Sequence, residues 1–539
     1  MKKRIKAVAL IMCLALLGLS ACGKYNDSGD SSQEDSRSEK GGAAGGGTLI
    51  VGMDSDLQTL DPGHGYEVYG NMIYYALYDT LYKTYEDSTP VPCLAEDYEM
   101  DDTQTIYTFQ IKEDVVFSSG NPLTSKDVAF SINRSKNLNG NASPAAANVA
   151  DIETPDDYSV VITLKEPDAG FLVKLANNAF CVLDSEVVKE HGGTDAEDAS
   201  TADTAQEWLN QNSAGSGAYV LESWTQNVEV VLNRNENHWG EVKNDKVICK
   251  EMPDVNTQIQ NLLQGDIDIA LSVSADNASQ LEGQDGVELY YTPGTTITFL
   301  LMNQDPDIGG PMADPKVQQA VRYAINYEEL LQISGESAVL PLNIVPQGFT
   351  GALEQDSNYT DIEKAKELLK EAGYEDGFTV EFTVATYDTE GMSWTTLGQK
   401  IKDDLSKVGI NAEIKTSEIG VVIDSYRDGK EQFLLMHWHP DYPDINNQLA
   451  FLPGETVGLR ANWETSDNQK IDELKNIIMT ESDEEKRSAA SEELQQVLTE
   501  DMPYAFLVQH PKVLGYRANL DGIHYYEVQK INFQDITVK

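Results

Sequence analysis

Strand patterns and helix patterns alternate along this chain, and that alternation limits its fold more than any other feature. Between Phe378 and Ile414 an apolar strand pattern, a helix pattern and a second strand follow one another. Such a unit joins neighbouring strands through a crossover and argues for an α/β layered architecture. The same mixture runs from end to end. Thr48 to Met53 reads as a buried strand, and Val68 to Tyr82 places Met72, Ile73, Ala76 and Leu77 at helical spacing. Tyr107, Phe109 and Ile111 alternate as in a half-buried strand, and Val160, Ile162 and Leu164 repeat that pattern after Pro155-Asp156-Asp157. Thr124, with Asp127 three residues on, is a helix N-cap signal. Lys246 to Met252 is strand-like. Gln258 to Leu263 reads as a helix stopped by Gly265, ahead of a strand at Ile267 to Ala270. Phe433 to Met436 is a continuous apolar run, the pattern of a buried strand, and Asp472 to Glu500 reads as a pair of surface helices.

With 539 residues, 40% of them hydrophobic, the chain has material for two or three domains. A formal net charge of −50 repels phosphate backbones, which excludes nucleic-acid partners. Beyond Cys13 and Cys22 only Cys93, Cys181 and Cys249 remain. An odd number without a CxxC pair argues against a disulfide framework or a zinc site. Buried free thiols are the expectation, with one bridged pair as the alternative. No His-Glu-x-x-His, Walker loop or Gly-x-Ser-x-Gly elbow occurs. Gly215 and Gly217 flank Ser216, but their expected role is a tight backbone passage into a strand. No cofactor is implied, and the chain is not expected to be an enzyme.

The N-terminus carries an address. Lys2, Lys3, Arg4 and Lys6 precede the apolar stretch Ala7 to Leu19, which is short for a bilayer span and suits a secretory signal. Leu19-Ser20-Ala21-Cys22 resembles the bacterial lipobox. The resemblance implies a signal peptide over residues 1–21 and lipidation of Cys22, placing the protein outside the cytoplasm and anchored to the cell membrane; a plain signal peptide is the alternative. Residues 22–47 are rich in Gly, Ser, Asp and Glu and read as a flexible tether reaching roughly 25–30 Å. Two acyl chains would hold it stably.

One segment concentrates the chemistry of a binding pocket. His437-Trp438-His439-Pro440-Asp441-Tyr442-Pro443-Asp444 follows the buried strand Phe433 to Met436. Ligands of α/β sheets favour such strand ends, and pockets pair apolar walls with a few oriented polar groups. The ligand-binding candidates are Asp441, Trp438, His439, His437 and Tyr442; Asp444 reads as a turn residue. A buried Asp441 carboxylate would need a cationic partner, and a peptide ammonium supplies one. Ligand backbone pairing beside His437 and His439 would resemble strand addition. In the alternative, Asp441 caps a turn and Trp438 is core. His437-x-His439, with His64 as a third ligand, is the metal-binding alternative, since imidazole suits nickel or zinc.

Several motifs together carry a family resemblance. In order they are Thr59-Leu60-Asp61-Pro62; Pro92 to Glu96; Tyr107 to Lys112; Val116 to Val128; Gly215 to Tyr219; Asn233 to Asn235 with His238-Trp239-Gly240; Leu263 to Asp268; Val317 to Asn326; and Trp438 to Asp444. Over about residues 48–539 the chain resembles the extracellular solute-binding proteins of family 5, the peptide/nickel receptors of ABC importers. The resemblance implies a periplasmic-binding-protein-like type II fold with two main lobes around a hinged cleft and an inserted third lobe. Lobe I would comprise residues 48–86, 205–303 and 509–539, lobe II residues 87–204, and lobe III residues 304–508. It implies a monomer that captures short peptides, including oligopeptides, and delivers them to an ABC permease and ATPase complex. It further implies that Asp441, three residues after Trp438, holds the ligand's ammonium group. In dipeptide receptors of this family an Arg meets the ligand carboxylate; the corresponding stretch, Ala385 to Trp394, has no Arg or Lys, so dipeptide-only specificity is not expected. A receptor for metal chelates or other non-peptide solutes, and a secreted peptidase, are the alternative functions.

Overall fold

The strand–helix–strand unit forms as strand Phe378–Thr386, helix Trp394–Ser406 and strand Ile410–Glu418. The two strands pair in parallel, from Phe378 opposite Ile410 to Thr386 opposite Glu418. Trp394, Leu397, Ile401 and Leu405 put the apolar stripe of the helix into the core. This computed structural model describes residues 46–54, 57–65, 67, 69–84, 89–353, 360–528 and 530–539. Residues 1–45, including the signal segment, Cys22 and most of the tether, lie outside the described residues.

That unit is the edge of a mixed ten-stranded sheet. From this edge the strands run Ile410–Glu418, Phe378–Thr386, Phe433–Trp438, Val287–Met302, Tyr504–Arg517, Ile269–Val273, Gly47–Met53, Asn244–Glu251, Glu229–Arg234 and Tyr219–Thr225. Two long antiparallel strands, Val287–Met302 and Tyr504–Arg517, tie its halves together. Their register breaks between Pro293 and Ile297, opposite Pro511 and Gln509. Proline supplies no ladder donor, so the pairing is weakest there. On one side of the break lies a core built on Phe299, Trp394, Phe433 and Tyr504. On the other lies a core built on Leu49, Tyr74, Val247 and Phe533.

A separate antiparallel sheet, Ala95–Met100, Ile106–Ile111, Ser159–Leu164 and Val149–Asp156 in that order, has its own core around Phe109, Phe117, Val160 and Phe180. The expected alternation holds, with Tyr107, Phe109 and Ile111 buried. Helix Ser125–Leu138 covers this sheet and starts where the N-cap signal predicts. The Asp127 carboxylate accepts from the Thr124 backbone N–H at 2.9 Å and from its hydroxyl at 2.8 Å. Arg134 on this helix is buried between two carboxylates. Its Nη1 and Nη2 donate to Asp61 at 2.9 and 2.7 Å, and its Nε donates to Asp203 at 2.7 Å.

Helix Val255–Gln264 ends at Gly265, whose φ of 82° is the left-handed cap that glycine adopts without strain. Helices Gln469–Thr480 and Glu484–Asp501 form the expected pair. Cys93, Cys181 and Cys249 are free and buried. Two expected elements shrink. The helix read over Val68 to Tyr82 spans Gly70–Leu77, because Tyr78 is already extended and Tyr82 opens a short strand, Tyr82–Thr84. The strand read from Ile267 begins at Ile269; Asp268 meets Ile50 just before it, its N–H donating to the Ile50 carbonyl at 2.7 Å and its carboxylate accepting from the Ile50 N–H at 2.8 Å. No helix among the described residues is long and apolar enough to cross a membrane.

Candidate functional site

Strand Phe433–Trp438 carries the site to its position. Its apolar start is buried, and it pairs with Val287–Met302 from Phe433 opposite Met302 to Trp438 opposite Ile297. Beyond Trp438 the chain leaves the sheet along the wall of a cavity of about 970 Å³. His437, Trp438, His439, Asp441 and Tyr442 all line it, so the structure brings the five sequence-predicted residues to one place. The opposing wall comes from the smaller sheet's segment, with Asn148, Glu166, Asp168 and Lys174. A neighbouring cavity of about 690 Å³ shares Asn148, Glu166, Lys174, Asp441, Tyr442 and Asn447 with the first, so Asp441 and Tyr442 stand between the two.

Each side chain is held differently. Trp438 packs edge-on to Phe451 with ring centroids 5.6 Å apart, and its buried indole Nε1 has no hydrogen-bond partner among the described residues. The Thr389 hydroxyl accepts from Trp394 Nε1 at 2.8 Å and lies 2.9 Å from His437 Nδ1. Thr389 thereby joins the two rings and orients the His437 imidazole. Burial pushes His437 down to about 4, against the pull of Glu390, so this imidazole is neutral at ordinary pH. His439 lies 3.0 Å from the Thr296 hydroxyl through Nδ1 and 3.6 Å from Glu527 through Nε2. Burial, aided by Lys530, pushes it too down to about 4.

Asp441 departs from expectation. Its side chain is exposed on the cavity wall rather than buried. Tyr442 lies under the Lys174 ammonium, 5.0 Å from its ring centroid, and burial pushes its hydroxyl up to about 12. Lys174 pairs with Asp168 at 2.6 Å, and Asp168 also accepts from Asn446 Nδ2 at 3.1 Å. Asp444 is more than a turn residue. It caps helix Ile445–Gln448, accepting from the Asn446 N–H at 2.8 Å, and pairs with both terminal nitrogens of Arg487.

Residues that the sequence reading missed complete the cavity. Lys475 pairs with Glu455 on its wall, and Arg427 and Arg460 line it as well. No local pattern marks them, since they lie on helices to either side of the aromatic segment and outside its consecutive run. The Ala385 to Trp394 stretch, free of Arg and Lys, carries Glu390, which pairs with Lys512. No group of three His, Cys, Asp or Glu side chains able to hold a metal occurs among the described residues, so His64, His437 and His439 do not form one. His64 lies instead against Gly140.

Residues 89–458 match the family described as bacterial extracellular solute-binding proteins, family 5 Middle. The probable D,D-dipeptide-binding periplasmic protein DdpA of Escherichia coli (strain K12) is 26% identical over 485 residues, covering 88% of this chain and 90% of that protein. Among solved structures, HbpA2 from Haemophilus parasuis aligns with a TM-score of 0.80 at 20% identity, over 91% of this chain and 100% of that one. The oligopeptide-binding protein AppA from Bacillus subtilis, solved in complex with a nonapeptide, aligns with a TM-score of 0.71 at 21% identity, over 92% and 99% of the two chains. The fold is the α/β, periplasmic-binding-protein type II fold. Its matched span takes in both the smaller sheet and the aromatic segment at the strand end, and the chain belongs to the bacterial extracellular solute-binding proteins, family 5.

Proposed function

We propose that this protein captures short peptides in the cavity at the end of strand Phe433–Trp438 and hands them to the permease of an ABC importer. The observation that carries the reading is the convergence of Asp441, Trp438, His437, His439 and Tyr442 on one cavity of about 970 Å³. That volume is at the top of the range that encloses a drug-sized ligand, which leaves room for more than a dipeptide. Asp441 meets the ligand ammonium. Trp438 and Tyr442 cover its apolar parts, and the neutral His437 offers Nε2 to a polar group of the ligand. The relatives support the class, since one is described as a probable D,D-dipeptide-binding protein and a solved neighbour holds a nonapeptide.

Capture is by closure. Lobe I (48–86, 205–303 and 509–539) and lobe III (304–508) move about the two long strands, near the register break at Pro293 to Ile297, while lobe II (87–204) supplies the wall bearing Lys174 and Asp168. A ligand drives this only by binding the closed form better; going from 1:99 to 99:1 takes roughly 5.5 kcal/mol of differential affinity. Lipidated Cys22 keeps the protein at the membrane where its permease sits. The role is binding and release, without catalysis.

The test is peptide titration followed by tryptophan fluorescence. Asp441→Asn, which removes the charge and keeps the shape, is expected to weaken binding by about 2 kcal/mol, or roughly thirtyfold. An affinity unchanged within about twofold removes Asp441 from the site.

A further inference from the structure

A further cavity, of about 220 Å³, shares no lining residue with the one that Asp441 lines. Neighbouring residues divide between the two: Asp168 and Asn446 face the Asp441 cavity, Ala169 and Ile445 the further one. The seam between them is tied. Ala169 N–H donates to the Met479 carbonyl at 2.8 Å, and Asn446 Nδ2 donates to Asp168 at 3.1 Å. One wall of the further cavity is apolar and comes from the smaller sheet's segment. Tyr98, Met100 and Tyr107 supply it from neighbouring strands, with Leu172 and Val173 from helix Phe171–Lys174. The Tyr98 and Tyr107 rings stack with centroids 6.0 Å apart. The other wall is Pro443 to Ile445 together with the turn joining helices Gln469–Thr480 and Glu484–Asp501. Its charge is one-sided. Arg487 is the one basic lining residue, against Asp444, Glu481 and Glu484, and both its terminal nitrogens are taken up by Asp444. Lys486 stands 3.6 Å from Glu481. Glu484 accepts from the Thr350 hydroxyl at 3.2 Å and forms no ion pair among the described residues.

We propose that this cavity is a second ligand site, for a small aryl-alkyl ammonium ion, with Glu484 as its counter-ion. The proposal goes beyond peptide capture and does not depend on it. The apolar body of the ligand packs on Tyr98, Met100 and Leu172, and its ammonium meets Glu484 across the cavity. Ammonium donors on a carboxylate make charge-assisted hydrogen bonds, and a tyrosine face beside the cation adds to them. Size sets the class. An apolar cavity of about 150 Å³ holds benzene, so this one takes a single ring with a short chain. A neutral isostere leaves Glu484 without a cation, and an anion is repelled. The ligand touches both sides of the seam and bridges them.

The test is calorimetric titration of the protein with phenethylammonium, with 2-phenylethanol as the neutral isostere and phenylacetate as the anion. Thermal melting checks that each variant is folded. The wild type is expected to bind the cation about tenfold more tightly than the alcohol, and the anion not at all. Glu484→Gln is expected to bring the cation-to-alcohol ratio within about twofold, and Leu172→Trp, which fills the cavity, to abolish binding of both. Asp441→Asn separates the two cavities, and it is expected to leave the affinity for the cation unchanged. Cation binding that is lost in Asp441→Asn and kept in Glu484→Gln overturns the proposal, because the amine would then sit in the Asp441 cavity. Equal affinity of the wild type for cation and alcohol overturns it too, as does no binding of the cation up to about 10 mM. Should Leu172→Trp not fold, Glu484→Gln, at an exposed position, carries the comparison.

Discussion

At the residue scale, burial sets the protonation of the histidines around the strand end. His437, His439 and the buried His510, whose Nε2 lies 2.5 Å from the Thr298 hydroxyl, are all pushed down to about 4. An unfolded histidine titrates near 6.5. Between about pH 6.5 and 4 the unfolded chain therefore binds protons that the folded protein refuses, and stability falls as pH falls through that window. Asp79, which Lys83 and His238 hold down to about 2 against its burial, adds a further loss only below about pH 4. The denaturant midpoint is thus expected to drop from pH 7 to pH 4.5, and His510→Gln, which can still meet Thr298, is expected to flatten that slope. A slope unchanged in the variant would show that His510 is protonated in the folded state. The histidines, Trp438, Asp441 and Tyr442 are legible in the sequence because they are consecutive. Lys174 is not, because folding alone brings it there, as the hydrogen bond between Asp168 and Asn446, 278 residues apart, shows; Arg427 and Arg460 are nearer in sequence but carry no pattern that marks them.

At the element scale, local chemistry fixes most boundaries. The Thr124–Asp127 box, the Gly265 cap and the period-two run Tyr107 to Ile111 place their elements where the patterns indicate. At Leu77, where a boundary moves, a tertiary contact meets the helix end. Gly215 and Gly217 are such a contact. A Cβ on Gly217 would lie 2.5 Å from the Ala76 carbonyl oxygen, at the end of helix Gly70–Leu77, and Gly217 N–H donates to the Leu77 carbonyl at 3.1 Å. The glycine exists for close backbone approach rather than for an unusual dihedral angle, as its flanking strand Tyr219–Thr225 led one to expect. Gly217→Ala is expected to cost about 3 kcal/mol of stability in a denaturant titration while leaving the slope of the transition unchanged. A cost below about 0.5 kcal/mol would mean that helix and passage can separate freely. The order of strands in the large sheet is beyond such patterns. Phe433–Met436 and the stretch Gly294–Met302 beside it are both buried on two faces, a property shared by other strands of the chain.

At the scale of the whole molecule, separate cores joined by two long strands suit a body that opens and closes without unfolding. In the proposed closure each core would stay packed, with the change absorbed where the ladder is broken, at Pro293 to Ile297. Multi-motif order made this architecture legible from sequence, whereas the cavity's size and the charges facing it required the fold. The central claim is that this cavity holds peptide. Native mass spectrometry of the protein purified without denaturation tests it most directly. Mass excesses over the bare chain are expected, one ligand per protein, which resolve on fragmentation into short peptides and diminish in Asp441→Asn. A bare chain that stays bare after incubation with a peptide pool, or a stoichiometric metal ion in place of peptides, would contradict it.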